Sequence, residues 1–218
     1  GYVRRIATVF EDDGFGVRGN LAAVVRALLL DSEARSDTVA AGTGFGKLRE
    51  PILRFTGWAR AFGATSPGGA WSVGNTSDPV RALGQSPLRA PSVFNFFQRE
   101  YVPANTAIAQ ASLVAPEFQI ASETSVIGYL NFMQRAVAGS VGDITPDYTE
   151  LLALADDARL LIDAINLVLA ADQLSQATLA TMVGALQTMP VGTDARRLNR
   201  VRAALLMVLA APEFMVQR

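Results

Sequence analysis

The 218-residue chain contains no cysteine and no histidine. Without thiols there are no disulfides and no thiolate zinc sites. Without imidazole there is no Ser-His-Asp or Cys-His catalysis and no ordinary haem ligation. Acid–base chemistry is left to carboxylates, tyrosine and arginine, and no cofactor is expected. Excess charge is missing too: 19 basic residues face 20 acidic ones for a net charge of −1, so nothing draws the chain to a polyanion and no nucleic-acid partner is expected. The basic residues are a single lysine, Lys47, and 18 arginines, a bias of GC-rich coding rather than a basic patch. The longest apolar stretches, such as Ala203 to Ala211, stop far short of the roughly 20 residues that cross a bilayer. The start, Gly1-Tyr2-Val3-Arg4-Arg5, has no initiator methionine and no signal-peptide pattern, so it reads as an interior start with any signal lying upstream.

What is present is apolar material: half of the residues are hydrophobic and 18% charged, enough to offset the ordering entropy of a globular domain. The pattern of that material is helical. Val3, Ile6, Val9 and Phe10 give helical spacing to Tyr2–Phe10. Asn20 is placed to cap Leu21–Leu30, with Leu21, Val24, Val25 and Leu28 on one face. Residues 36–46 read as loop. A helix is expected from about Lys47 to Phe62, with Leu48, Ile52, Phe55 and Ala59 inward and Pro51 in its first turn. Further helices are expected over about Pro116–Ala138, Pro146–Ala155, Ala158–Asp172, Ser175–Gln187 and Asp194–Ala210. Pro116 and Pro146 suit first helical positions, Ser175 and Asp194 suit N-caps, and Gly139 suits a stop. Arg197, Arg200 and Arg202 read as the solvated side of the last helix. The fold class is therefore all-α, an irregular multi-helix bundle forming one helical domain over residues 1–218.

Between residues 63 and 110 the character changes to Pro, Gly, Ser and isolated aromatics, among them Trp71, Phe94, Phe96, Phe97 and Tyr101. This is a long irregular excursion, relieved by short helices near Val80–Leu83 and Ser92–Phe97, and loops of such length are commonly functional. Neighbouring helical residues differ by about 100°, so Phe94, Phe96 and Phe97 cannot all face one core. They line the core beneath the loop or, with Tyr101, form an interaction surface.

Several motifs imitate known sites. Gly14-Phe15-Gly16-Val17-Arg18-Gly19 matches G-x-G-x-x-G, but it follows an acid-ended amphipathic segment rather than a buried strand. Gly42 to Lys47 resembles a phosphate-binding loop, yet residue 41 is Ala and residue 48 is Leu where Gly and Ser or Thr are required. Glu11, Asp12 and Asp13, or Asp143 with Asp147, offer oxygen ligands to calcium without its alternating loop pattern; Asp12 and Asp13 are the weak metal candidates. Leu29-x-x-Ser32-Glu33-Ala34, Leu113-x-x-Pro116-Glu117-Phe118 and Leu209-x-x-Pro212-Glu213-Phe214 recur at unequal spacing. They read as helix punctuation in which Glu complements a dipole, with a paired-carboxylate site of Glu117 and Glu213 as the other reading. Glu117 and Glu123 fall on nearby faces of one expected helix and, with Arg54 or Arg60 to hold an anion, are the candidate catalytic residues.

Four ordered blocks carry a resemblance. They are Val17-Arg18-Gly19-Asn20-Leu21 running to Leu30-Asp31-Ser32-Glu33-Ala34-Arg35; Lys47-Leu48-Arg49-Glu50-Pro51-Ile52-Leu53-Arg54; Gly84-Gln85-Ser86-Pro87 to Ser92-Val93-Phe94-Asn95-Phe96-Phe97; and Leu113 to Ile120, with Ala211-Pro212-Glu213-Phe214 closing the chain. Together they resemble the bacterial family catalogued as domain of unknown function 1800. The resemblance implies a large, exported protein, periplasmic or at the cell surface, often encoded beside a sulfatase-like partner family, with no catalytic residue to carry over. The family's N-terminal helical half has no counterpart here, so the chain is expected to be a C-terminal part. The leading expectation is a structural or protein-interaction module docking to that missing half or to another subunit, with oligomerisation open. The alternative is a carboxylate-dependent hydrolase.

Overall fold

The computed structural model describes residues 1–42 and 44–217, and they fall into two compact units, residues 1–46 and residues 47–217. Thr43, inside the run that imitates a phosphate-binding loop, lies outside the described residues.

The first unit is a helical hairpin followed by a turn. α1 (Tyr2–Glu11) and α2 (Leu21–Leu30) run antiparallel, and α3 (Asp37–Ala40) follows where only loop was expected. The sequence explains α3: the Ser36 hydroxyl accepts from the Val39 backbone N–H at 3.2 Å and caps a single turn. Asn20 caps α2 as its position suggests, accepting from the Ala23 N–H at 3.3 Å. The ends of the hairpin are tied by polar contacts. The Arg5 guanidinium makes a bidentate pair with Asp31, both contacts at 2.7 Å, and reaches Glu33 at 2.9 Å. At the other end the Gly19 N–H donates to the Phe10 carbonyl at 2.8 Å. None of this unit's described residues is buried; of the expected inward face of α2, Val24 is half-buried while Leu21, Val25 and Leu28 are exposed.

The second unit holds the core. It begins with β1 (Lys47–Leu48), then α4 (Pro51–Ala61), α5 (Ala107–Gln110), a 3₁₀ helix (Pro116–Ile120), α6 (Glu123–Val137), α7 (Thr149–Leu154), α8 (Ala158–Ala170), α9 (Gln176–Gln187), α10 (Asp194–Ala210), α11 (Pro212–Met215) and β2 (Val216–Gln217). α10 is the hub. Its Val201, Ala204, Leu205, Val208 and Leu209 recur at helical spacing and are all fully buried, packed among α6, α7, α8, α9 and α11. α8 answers with Leu161, Ile162, Ile165 and Leu169 on one stripe. Its C-terminus turns through Ala171 in the left-handed region, and the buried Asn166 secures that turn by donating to Asp172 at 2.7 Å and accepting from the Leu174 N–H at 3.2 Å.

The all-α class therefore stands, with several boundaries moved. Lys47–Leu48 is not the start of a helix: it pairs antiparallel with Val216–Gln217, clipping the two ends of the unit together. Pro116–Ala138 is not one helix. A capping box, in which Ser122 and Ser125 satisfy each other's backbone N–H groups, starts α6 afresh after the 3₁₀ turn. α7 begins at Thr149 rather than Pro146, because the Asp147 carboxylate accepts the Thr149 N–H at 2.9 Å. Thr193, not Asp194, caps α10. The arginines of α10 are not simply a solvated face: Arg197 pairs with Asp156 at 2.6 Å, Arg200 is buried, and Arg202 donates to the Ala138 carbonyl at 3.1 Å.

Candidate functional site

The excursion of residues 63–110 is irregular as expected, but it is not loose. Two frames hold it. In the first, Asp143 accepts from the Ser66 hydroxyl and, at 2.7 Å, from the Ser72 N–H, while the Trp71 N–H donates to the Ser66 oxygen at 3.0 Å. Those bonds, the Ser66 hydroxyl foremost, hold the Asp143 carboxyl below its ordinary value. Thr65 and Thr145 bridge beside it. Gly142 lies at φ +56, and any side chain there would run into the Ser72 carbonyl, so glycine is what lets the two backbones meet.

The second frame is built from the Gly84-Gln85-Ser86-Pro87 run. Buried Gln85 donates to Glu50 at 2.6 Å and accepts the Ile52 N–H at 3.3 Å, capping α4 from a distance of 33 residues. Buried Thr76 donates to the Gln85 carbonyl, and Leu83, fully buried, donates its N–H to the Thr76 carbonyl at 3.0 Å. Opposite, Gly128 of α6 leaves room for the Pro79 and Val80 carbonyls, which a Cβ would strike. The expected short helices near Val80–Leu83 and Ser92–Phe97 are absent. The Asp78 carboxylate closes a lone turn by accepting the Val80 N–H at 2.8 Å, and Asn95 at φ 68 stops any helix through the phenylalanines.

The structure does not bring the four aromatic candidates together in the core. Phe94 is 65% exposed and stands with exposed Val93 and Leu88 on the crest of the excursion. Phe96, Phe97 and Tyr101 are half-buried.

The candidate catalytic residues separate. Arg54 is 4% exposed, its Nε donating to the Arg49 carbonyl at 2.7 Å and its guanidinium lying 4.7 Å from the centre of the Tyr129 ring. Burial lowers the Arg54 pKa and pushes the Tyr129 hydroxyl up to about 12, with the Arg54 charge opposing the latter shift. Glu117 shares with these two a cavity of only about 20 Å³, room for about one water. Glu123 sits exposed in the first turn of α6 and does not line it. Glu213 is engaged elsewhere, accepting from Thr178 at 2.6 Å and Ser175 at 3.1 Å at the start of α9. It thus forms no pair with Glu117 and acts as the punctuation residue the motif suggests. Arg60 is exposed.

Asp12 and Asp13 fold their own loop. Asp12 accepts the Gly14 and Gly16 N–H groups at 2.8 and 2.9 Å, and Asp13 takes the Phe15 N–H at 2.9 Å and the Asn20 amide at 2.7 Å. These bonds, with Asn20 foremost, lower the Asp13 pKa. No cluster of carboxylates fit to hold a metal occurs among the described residues, and no described helix is long and apolar enough to cross a membrane.

A cavity of about 640 Å³ lies between α4 and residues 71–89, and the sequence gives no sign of it. Trp71 was noted only as an isolated aromatic, and no spacing rule connects it to Arg60 or Arg89. An open groove of about 420 Å³ lies along α1 and α2 of the first unit, where the Arg5–Asp31 pair lines it together with Arg26 and the carboxylate of Asp13.

Fold and site define a class: an all-helical scaffold that carries a fixed, irregular aromatic segment and shows no assembled catalytic set among the described residues. Residues 1–216 match the family described as Protein of unknown function (DUF1800), and the chain belongs to it. Neither a curated protein nor a solved structure matches the chain.

Proposed function

We propose that the chain is a non-catalytic interaction module of an exported bacterial protein, docking another polypeptide against the crest of its excursion. The partner is a further part of the same protein or a separate subunit. The observation that carries this reading is the exposure of Leu88, Val93 and Phe94 on a segment held before by the Gln85 side chain on Glu50 and after by the Gln98 N–H, which donates to the Gln119 side-chain oxygen at 2.6 Å. Apolar side chains held out on a rigid support lose little conformational entropy on binding and suit a docking surface. The exported location rests on the family resemblance, and fractionation of producing cells checks it.

The hydrolase reading is the weaker one. Glu117 and Arg54 line one small space, but room for about one water admits no substrate, and Glu123 does not line it. A photo-crosslinking residue at Phe94 tests the docking reading in producing cells. The expected result is an adduct of discrete mass that is absent when the same group replaces exposed Gln187. Equal crosslinking at both positions, or none at either, would overturn it.

A further inference from the structure

The cavity of about 640 Å³ beside α4 has the size of a small-molecule site. Its apolar lining comes from Ile52, Phe55 and Ala59 of α4 together with Val73 and Ile144. The hydroxyls on its wall already have backbone partners. Thr56 donates to the Ile52 carbonyl at 3.0 Å, Thr76 donates to the Gln85 carbonyl, and the Ser86 oxygen accepts the Thr76 N–H at 3.5 Å. Two arginines complete the lining, Arg60 and Arg89. Both residues are exposed, and neither guanidinium has a hydrogen bond or ion pair among the described residues. In the same unit Arg159 and Arg197, by contrast, are paired with Asp163 and Asp156. Two unmatched cations beside an apolar cavity are complementary to an anion with an apolar body.

Trp71 supplies the remaining wall. It is 53% exposed, lines the same cavity, and is held at φ 50, a left-handed conformation that costs a bulky residue strain. The Asp143 frame fixes it there through its own N–H and that of Ser72. A flat indole fixed at the edge of an apolar space offers a stacking face.

We propose that this cavity binds a small organic anion, its flat or branched apolar body packed between α4 and Trp71 and its carboxylate or equivalent group held by Arg60 and Arg89. Leu88, Val93 and Phe94 do not line the cavity, although Leu88 stands between the lining residues Pro87 and Arg89, and the probe titration reads the cavity whether or not the crest docks a partner.

Anilinonaphthalene sulfonate is a suitable probe, because it joins an aromatic body to an anion, and its uncharged analogue phenylnaphthylamine isolates the contribution of charge. The full chain is expected to bind the sulfonate saturably at one site. The double variant Arg60→Gln, Arg89→Gln alters only exposed side chains and should fold normally. It is expected to lose about tenfold or more in affinity for the sulfonate while holding the uncharged analogue unchanged. Ala59→Trp, which fills the cavity, should abolish binding of both; if that variant fails to fold, the arginine variant decides alone. Displacement of the sulfonate by phenylpropionate identifies a free acid as the fitting source, and displacement only by a peptide ending in phenylalanine identifies a C-terminal carboxylate. Unsaturable binding, an equal loss of both probes in the arginine variant, no loss of either, or displacement by neither competitor would overturn the proposal.

Discussion

The hairpin of residues 1–46 and the bundle of residues 47–217 are both helical, yet different forces hold them. In the hairpin no described residue is buried, and its ends are tied by Arg5, Asp31, Glu33 and the carboxylates of the 12–20 loop. In the bundle a continuous stripe of α10 is removed from water against α6 and α8. Area burial stabilises at every pH and salt concentration, whereas exposed ion pairs contribute little and are screened. The comparison teaches that the helical pattern alone does not report how firmly a helix is held.

The strongest way to break the comparison is to cut the core. Leu205→Ala is expected to lower unfolding free energy of the bundle by about 2–5 kcal/mol, measured by denaturant titration. An equally large loss from any single surface change in residues 1–46 would contradict the distinction. Next comes Gly142→Ala, which forces a methyl group into the Ser72 backbone at a positive φ. A loss of about 1–3 kcal/mol is expected, accompanied by a changed Trp71 emission as the frame shifts. Gln85→Ala leaves the Ile52 N–H and Glu50 without their partner and should cost about 1–3 kcal/mol, with faster amide exchange at the start of α4.

The smallest effect belongs to acidity, and it sharpens the contrast. The Asp31 and Asp13 carboxyls are held below their ordinary value of 3.8, Asp31 chiefly by Arg5 and Asp13 chiefly by Asn20. A carboxyl whose folded pKa is depressed contributes stability that is fully present above the unfolded value and is lost as pH falls through the folded one. Below about pH 4, amides of α1 and α2 should therefore lose protection, after correction for intrinsic exchange, while those of α8 and α10 keep theirs. Simultaneous loss in all four helices would remove the distinction between the units.

How much of this was legible in the sequence follows from the range of the interactions involved. The Asn20 and Ser175 caps, the Gly139 stop and the apolar stripes of α8 and α10 are local signals, and they place their helices correctly. The strand Lys47–Leu48 could not be read, because its partner lies at residues 216–217. Arg200 looked solvated because a helix face gives no hint of what packs on it from elsewhere. At the excursion, composition marks the irregular segment but gives no sign of what fixes it. The phenylalanines drew attention, while the residues that fix the segment are Gln85, Thr76 and Asp143, polar side chains whose partners are distant in the chain. Trp71, Arg60 and Arg89 meet only once that fixing is complete.

The Asp143 frame carries a consequence for biosynthesis. Its contacts join Thr65 to Thr145, Ser66 to Asp143 and Ser72 to Asp143 across 80, 77 and 71 residues, and contacts of such separation form late because loop closure must precede them. On the ribosome α4 is made well before α6 and the corner that bears Asp143, so the Ser66–Ser72 end of the excursion waits without its anchor while that stretch of chain is still being synthesised. During that interval Trp71 is free to move and open to chaperones, and the emergence of the Gly142 corner is the step that lets this end of the excursion acquire its shape.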